Sequence, residues 1–171
     1  MTNVSYPNYL DTSAIIKLFV DEQGSDAVRE YLNRPTAFFT SSLCLGETLG
    51  VLKAKHRSGK IRDDVYYHFC SDFMARVSQG LIKVNDVGIT KWEIFSEVLG
   101  VAKDNMLDIS DAFLIVTLKQ GFFSTFDGLS RPLLITADQK LASVARAHQL
   151  NVWDCEKEDA PQRSSVWDCE I

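Results

Sequence analysis

Apolar and polar positions along the chain switch repeatedly between the period of a strand and the period of a helix. Tyr9-Leu10-Asp11 closes a short extended segment, and Ser13 to Val20 then carries apolar residues at helical spacing behind a polar starter, so a strand runs into a helix. Ser25 to Leu32 reads as a second short helix, stopped by Pro35. Ala37 to Thr40 is rich in β-formers, and Ser41 or Ser42 can cap a helix from Leu43 to about Arg57. Beyond Gly59 a long amphipathic stretch, Arg62 to Gln79, spaces Val65, Phe69, Phe73 and Val77 four apart, and Leu81 to Val84 is a strand candidate. Thr90 to Lys103 places Trp92, Phe95, Leu99 and Ala102 on one helical side. Ser110 is expected to cap the very apolar Ala112 to Leu118, a buried helix. Leu133 to Thr136 then reads as a strand, Asp138 to His148 as a helix and Asn151 to Trp153 as a last strand.

Strands alternating with helices at this spacing predict an α/β fold with a parallel sheet and helices on both faces. Such sheets bind ligands beyond the carboxyl ends of their strands. The chain has 171 residues, 46% of them apolar, enough for one domain with a real core. Residues 1–156 are expected to form that domain and 157–171 a polar, acidic tail; Gly121 to Pro132 reads as a loop. Val-Trp-Asp-Cys-Glu occurs twice, at 152–156 and 166–170, too short a unit for a solenoid repeat. No apolar run reaches the roughly 18–20 residues of a membrane span, and Met1 to Tyr9 lacks the basic and apolar regions of a secretory leader. A soluble, cytoplasmic protein without a membrane partner is expected.

Cys44, Cys70, Cys155 and Cys169 form no CxxC pair and the three histidines no HxxxH spacing, which argues against thiolate or imidazole zinc sites. A bound metal would have to be held by carboxylates. The net charge of −5 argues against nucleic acid until its distribution is read. Residues 154–171 hold six acids against Lys157 and Arg163, leaving 17 acids and 16 bases in the body. Gathering several body acids into one metal-filled pocket would leave the remaining surface mildly basic.

Four carboxylates stand out by their places: Asp11 ends the first strand, Glu47 lies in a helix, Asp111 opens one, and Asp138 follows a strand. Strand ends and helix starts converge on one edge of such a sheet, which brings Asp11, Asp111 and Asp138 together. Glu47 is flanked by apolar residues and glycines, and an unpaired buried carboxylate costs several kcal/mol, a cost that a cation would largely remove. Each position also has a structural reading: Glu47 on the solvent side beside Lys53 or Lys55, and Asp11, Asp138 and Asp108-Ile109-Ser110-Asp111 as helix caps. Taken together, four such positions on one edge favour a carboxylate metal site. Oxygen ligands suit Mg²⁺ or Mn²⁺, and a cation that lowers the pKa of water suits phosphodiester hydrolysis without a separate strong base.

Tyr9 to Ala14, Ser42 to Glu47, Asp108 to Leu114 and Ile135 to Ala142, in that order and spacing, resemble a PIN-domain ribonuclease, most closely the toxin of a VapBC-type toxin–antitoxin pair. The resemblance covers residues 8–153; the acidic tail and the loop 121–132 lie outside its pattern. It implies a three-layer α/β/α sandwich with a mostly parallel sheet and Mg²⁺- or Mn²⁺-dependent endoribonuclease activity leaving a 5′-phosphate and a 3′-hydroxyl. The family's acidic positions fall on Asp11, Glu47, Asp111 and Asp138. Asp11 and Asp111 are expected as direct ligands, Asp138 as a ligand directly or through water, and Glu47 as ligand of a second ion or orienter of the attacking water. Thr12 or Ser13 would hold a carboxylate in place, with Asp108 and Thr136 in supporting positions. The resemblance also implies an antitoxin partner entering the acidic groove and a homodimer.

Lys53, Lys55, His56, Arg57, Lys60 and Arg62 form the one dense basic stretch, directly after the helix carrying Glu47. They are candidate phosphate contacts, or equally a solvated helix end. The wide apolar face of the helix at 62–79 is a candidate dimer contact. Two alternatives are a metal-free or inactive α/β partner-binding module and a haloacid-dehalogenase-type phosphatase, which places a second Asp where this chain has Ser13.

Overall fold

The structure is a computed structural model describing residues 7–34, 37–126 and 131–161. The second Val-Trp-Asp-Cys-Glu copy, most of the expected tail and residues 127–130 lie outside these. Five strands form one parallel sheet: β1 (Pro7–Leu10), β2 (Ala37–Thr40), β3 (Ile82–Val84), β4 (Leu133–Thr136) and β5 (Asn151–Asp154). Their order is β3-β2-β1-β4-β5. The chain winds outward from β1 to β3 and then returns to the other side of β1. The order therefore reverses between β1 and β4, which opens a crevice at their carboxyl ends.

Seven helices cover the sheet among the described residues: α1 (Thr12–Ile16), α2 (Ser25–Leu32), α3 (Ser42–Arg57), α4 (Asp63–Ser78), α5 (Trp92–Asn105), α6 (Ile109–Gln120) and α7 (Gln139–Ala147). Strand side chains alternate between two cores, as the two-residue period of a strand requires. Leu10, Phe38, Leu133, Ile135 and Trp153 pack with α1 to α4 on one face. Tyr9, Phe39 and Leu134 pack with α6 and α7 on the other, and α5 lies over α6 through Val98, Ala102, Phe113 and Val116. The architecture is the expected three-layer α/β/α sandwich. No described helix is long and apolar enough to cross a membrane.

Two boundaries differ from expectation for identifiable reasons. The first helix stops at Ile16 instead of running to Val20, because Lys17 turns inward to give its ammonium to the Gln23 carbonyl at 2.6 Å. The chain tightens there into three-residue turns, Leu18 N–H to the Ile15 carbonyl and Phe19 N–H to the Ile16 carbonyl, both 3.0 Å. Ser110 does not cap α6 but lies within it; Asp108 holds the cap position, its carbonyl accepting from Ala112 N–H at 3.0 Å.

Residues just after β5 are tied to the domain. The Trp153 indole donates to the Glu158 carbonyl at 3.0 Å, Glu158 pairs with Arg146 at 2.6 Å, and Arg34 reaches the Pro161 carbonyl at 3.3 Å.

Candidate active site

β1 and β4 lie side by side, so the residues that leave them, Asp11 and Asp138, emerge at the same edge. Asp11 extends the ladder by one bond, its N–H reaching the Ile135 carbonyl at 3.1 Å, and its side chain is buried. One oxygen, Oδ2, accepts from Ser13 Oγ at 2.6 Å, Ser13 N–H at 3.2 Å and Thr136 Oγ1 at 2.8 Å. The other, Oδ1, has no hydrogen-bond partner among the described residues. Ser13 Oγ in turn accepts from Ala137 N–H at 2.8 Å, and Thr136 Oγ1 accepts from Asp138 N–H at 2.9 Å. One hydroxyl from each side of the crevice therefore locks the carboxylate and ties the β1 and β4 exits together.

The hydroxyl next to Ser13 serves a different carboxylate. Thr12 Oγ1 donates to Glu47 Oε2 at 3.0 Å, so adjacent residues of α1 position Asp11 and Glu47 separately. Glu47 is half-buried on the stripe Glu47, Val51, Lys55 of α3, one turn apart each, which lines the crevice. Neither lysine considered above pairs with it. Asp111 enters from the first turn of α6 and Asp138 from the cap of α7, where its Oδ1 also accepts from Leu141 N–H at 2.8 Å. Capping and lining the crevice are thus compatible for Asp138, as they are for Asp11.

Asp11, Glu47, Asp108, Asp111 and Asp138 all line one cleft of about 390 Å³, together with Thr12, Ser13, Lys17, Glu22, Lys55 and Glu156. Burial and the neighbouring acids raise the proton affinity of two of them, Asp11 and Asp111. Burial pushes the Asp11 carboxyl above its ordinary value, against the pull of its hydrogen bonds. Asp111 is pushed up to about 7 by burial and then by Asp11, Asp138, Glu47 and Asp108.

The two lysines in the wall do not relieve this charge. Lys17 is 1% exposed, with its ammonium 2.6 Å from Glu156 Oε1 and 4.0 Å from Glu22, and Lys55 pairs with Glu22. Among the described residues, none of Asp11, Glu47, Asp108, Asp111 and Asp138 has a cationic partner. Lys17, Glu22 and Glu156 were not singled out from the sequence. The signal for Lys17 is a lone charge inside Ile15-Ile16-Lys17-Leu18-Phe19, a place where a lysine is buried only when paired.

Of the basic stretch, only Lys55 reaches the cleft. Lys53, Arg57 and Lys60 are exposed, and Arg62 is held by Asp64 through bonds of 2.6 and 3.1 Å.

Hard oxygen donors, a locked carboxylate with one open oxygen and an uncompensated set of acids fit a divalent cation. As they stand, no three His, Cys, Asp or Glu among the described residues are close enough to enclose one. The acids ring the cleft from four elements instead of meeting at a point.

A search of curated proteins finds no match to the chain. Among solved structures, the crystal structure of PAE2754 from Pyrobaculum aerophilum resembles it with a TM-score of 0.54 and 19% identity, covering 84% of this chain and 87% of that one. That likeness concerns the fold. The sequence model of the PIN domain matches residues 9–147, from the middle of β1 to the end of α7 and so across every acid at the strand ends. The chain belongs to the PIN domain family, a nuclease fold that usually works with a divalent metal.

Proposed function

We propose that this PIN domain is a Mg²⁺- or Mn²⁺-dependent endoribonuclease, acting on single-stranded or loop RNA in the cytoplasm as the toxin of a toxin–antitoxin pair. The observation that carries the reading is the convergence of Asp11, Glu47, Asp111 and Asp138 on one cleft without a cationic partner among the described residues. Asp11 and Asp111 would hold the metal, with Asp138 completing its surroundings. The bound cation would offset the negative charge of the phosphodiester and make water a better nucleophile at neutral pH.

The chain's own groups do the positioning. Ser13 and Thr136 fix Asp11 with Oδ1 open. Thr12 fixes Glu47, which would bind a second ion or orient the attacking water. Lys55, at the cleft, and the exposed Lys53, Arg57, Lys60 and Arg62 beyond it are candidate contacts to the RNA backbone. An antitoxin partner is supported by the VapBC resemblance and by the acidic cleft, which would accept a basic peptide segment.

The test is cleavage of a single-stranded RNA by the wild type, Asp11→Asn and Asp111→Asn, with Mn²⁺ or with a chelator. Each substitution removes ligand charge at nearly constant volume, so both variants should stay folded and lose at least about 100-fold in rate, the order seen when a metal's surroundings are disturbed. Undiminished cleavage by both variants, or cleavage by the wild type in chelator, would overturn the assignment.

A further inference from the structure

The duplicated Val-Trp-Asp-Cys-Glu has no role in the chemistry above, yet its first copy fills a slot in which every residue is individually received. Val152 and Trp153 pair with Leu134 and Ile135 of β4. The Trp153 ring is buried against Tyr31 with centroids 5.0 Å apart. Asp154 is buried, and its Oδ1 accepts from Glu156 N–H at 3.1 Å, a contact internal to the five residues. Cys155 is buried, with its N–H on the Thr136 carbonyl at 2.9 Å. Its carbonyl lies so close to Gly24, where φ is +79°, that a Cβ there would sit 2.2 Å away. Glu156 Oε1 accepts from the Lys17 ammonium at 2.6 Å and its carbonyl from Gln23 Nε2 at 2.9 Å.

We propose that this slot also accepts the second copy, Val166 to Glu170, from the same chain. The chain has three tryptophans and four cysteines, and two of each stand in the two copies, in the same order and 14 residues apart. The second copy therefore repeats the five side chains that the slot receives from 152–156. Among the described residues β5 is an edge strand with β4 as its strand partner, so it can leave without breaking the other strand pairings. Seating the second copy releases 151–164 as a loop, and loop-closure entropy rises only slowly with length. The flanks favour the first copy: Leu150 packs on the core before it, where Ser164 precedes the second, and Glu158 takes the Trp153 indole after it. In either arrangement a glutamate, Glu156 or Glu170, reaches Lys17 and completes the cleft wall.

The test is a double-substitution cycle in the full chain, Trp153→Ala, Trp167→Ala and both together, read by thermal melting and by mapping which cysteine resists a thiol reagent. Trp153→Ala alone should lower the melting temperature by only a few degrees, with protection moving from Cys155 to Cys169. Trp167→Ala alone should leave melting and Cys155 protection unchanged. The double variant should melt roughly 6–20 °C below the wild type, as expected for emptying a tryptophan-sized pocket in a domain of this size. If Trp153→Ala is as damaging as the double variant or fails to fold, or if Cys155 stays protected in it, the proposal is wrong. A large loss from Trp167→Ala alone would give the second copy a site of its own and would equally overturn it. Protection of Cys169 that weakens on dilution would place the exchange between two chains and overturn the assignment within one.

Discussion

Asp11 has two oxygens with opposite surroundings, one bonded three times and one open to the cleft, so its orientation is set before any ligand arrives. The cost of burying Asp11 and Asp111 among other acids appears in their proton affinities. In the fold Asp111 holds its proton up to about 7, whereas in the unfolded chain it releases it near an ordinary aspartate value of about 3.9. Between those values the folded state binds more protons, so stability falls as pH rises through the window and levels off above it. Asp11 is shifted in the same direction. The melting temperature of the metal-free protein should therefore drop between about pH 4 and pH 7, and Asp111→Asn should flatten the drop. A melting temperature that climbs through this window and ignores the substitution would contradict the repulsion described. A second residue carries a cost unrelated to the site. Thr117 is buried in α6 with its hydroxyl unpartnered among the described residues. An unsatisfied buried hydroxyl costs about 1–3 kcal/mol, so Thr117→Val, nearly equal in volume, should gain about 1 kcal/mol and melt a few degrees higher.

At the scale of elements, α3 shows how one helix serves two purposes. Its inner stripe carries Glu47 to the cleft, while Gly46 and Gly50 are exposed, and a Cβ added at either would meet nothing within 4 Å. Glycine inside a helix is about 0.5–1 kcal/mol worse than alanine, so Gly46→Ala and Gly50→Ala should each stabilise by about that much in chemical denaturation. Loss of stability would mean that the outer face packs on something. The elements themselves were largely legible because local pattern decides them: α2, β2 and β4 have the expected ranges, and Asp11 and Asp138 stood out because each sits at a strand-to-helix junction. The missed features are those that distant residues decide. Ile15 to Phe19 has a helical pattern, and only the burial of Lys17 against Gln23 and Glu156 ends the helix there. The partition of roles between Thr12 and Ser13 was likewise open in the sequence. It is settled by which carboxylate each hydroxyl meets across the crevice.

For the whole molecule, the strand order brings the two ends of the domain to one cleft, and Lys17 closes it by reaching Glu156 on a segment 139 residues away. The opposite flank of the sheet is where association is expected. α4 buries Phe73 completely and turns Val65, Phe69 and Val77 toward the core, so the wide apolar face read from the sequence is mostly interior. What remains outside is Tyr67, 69% exposed, and Met74, 40% exposed, one helical face apart by two turns, followed by exposed Leu81 before the edge strand β3. A homodimer through this flank would cover those side chains and shield an unpaired strand edge. Light scattering at micromolar concentration should then give twice the 19.2 kDa of one chain. Phe73 cannot probe this contact, because changing a fully buried residue unfolds the helix's own packing. Tyr67→Glu with Met74→Glu touches only the outer face, and should yield a monomer that melts at the wild-type temperature. A single-chain mass for the wild type would remove the dimer, and a dimer that survives both substitutions would move the interface away from α4.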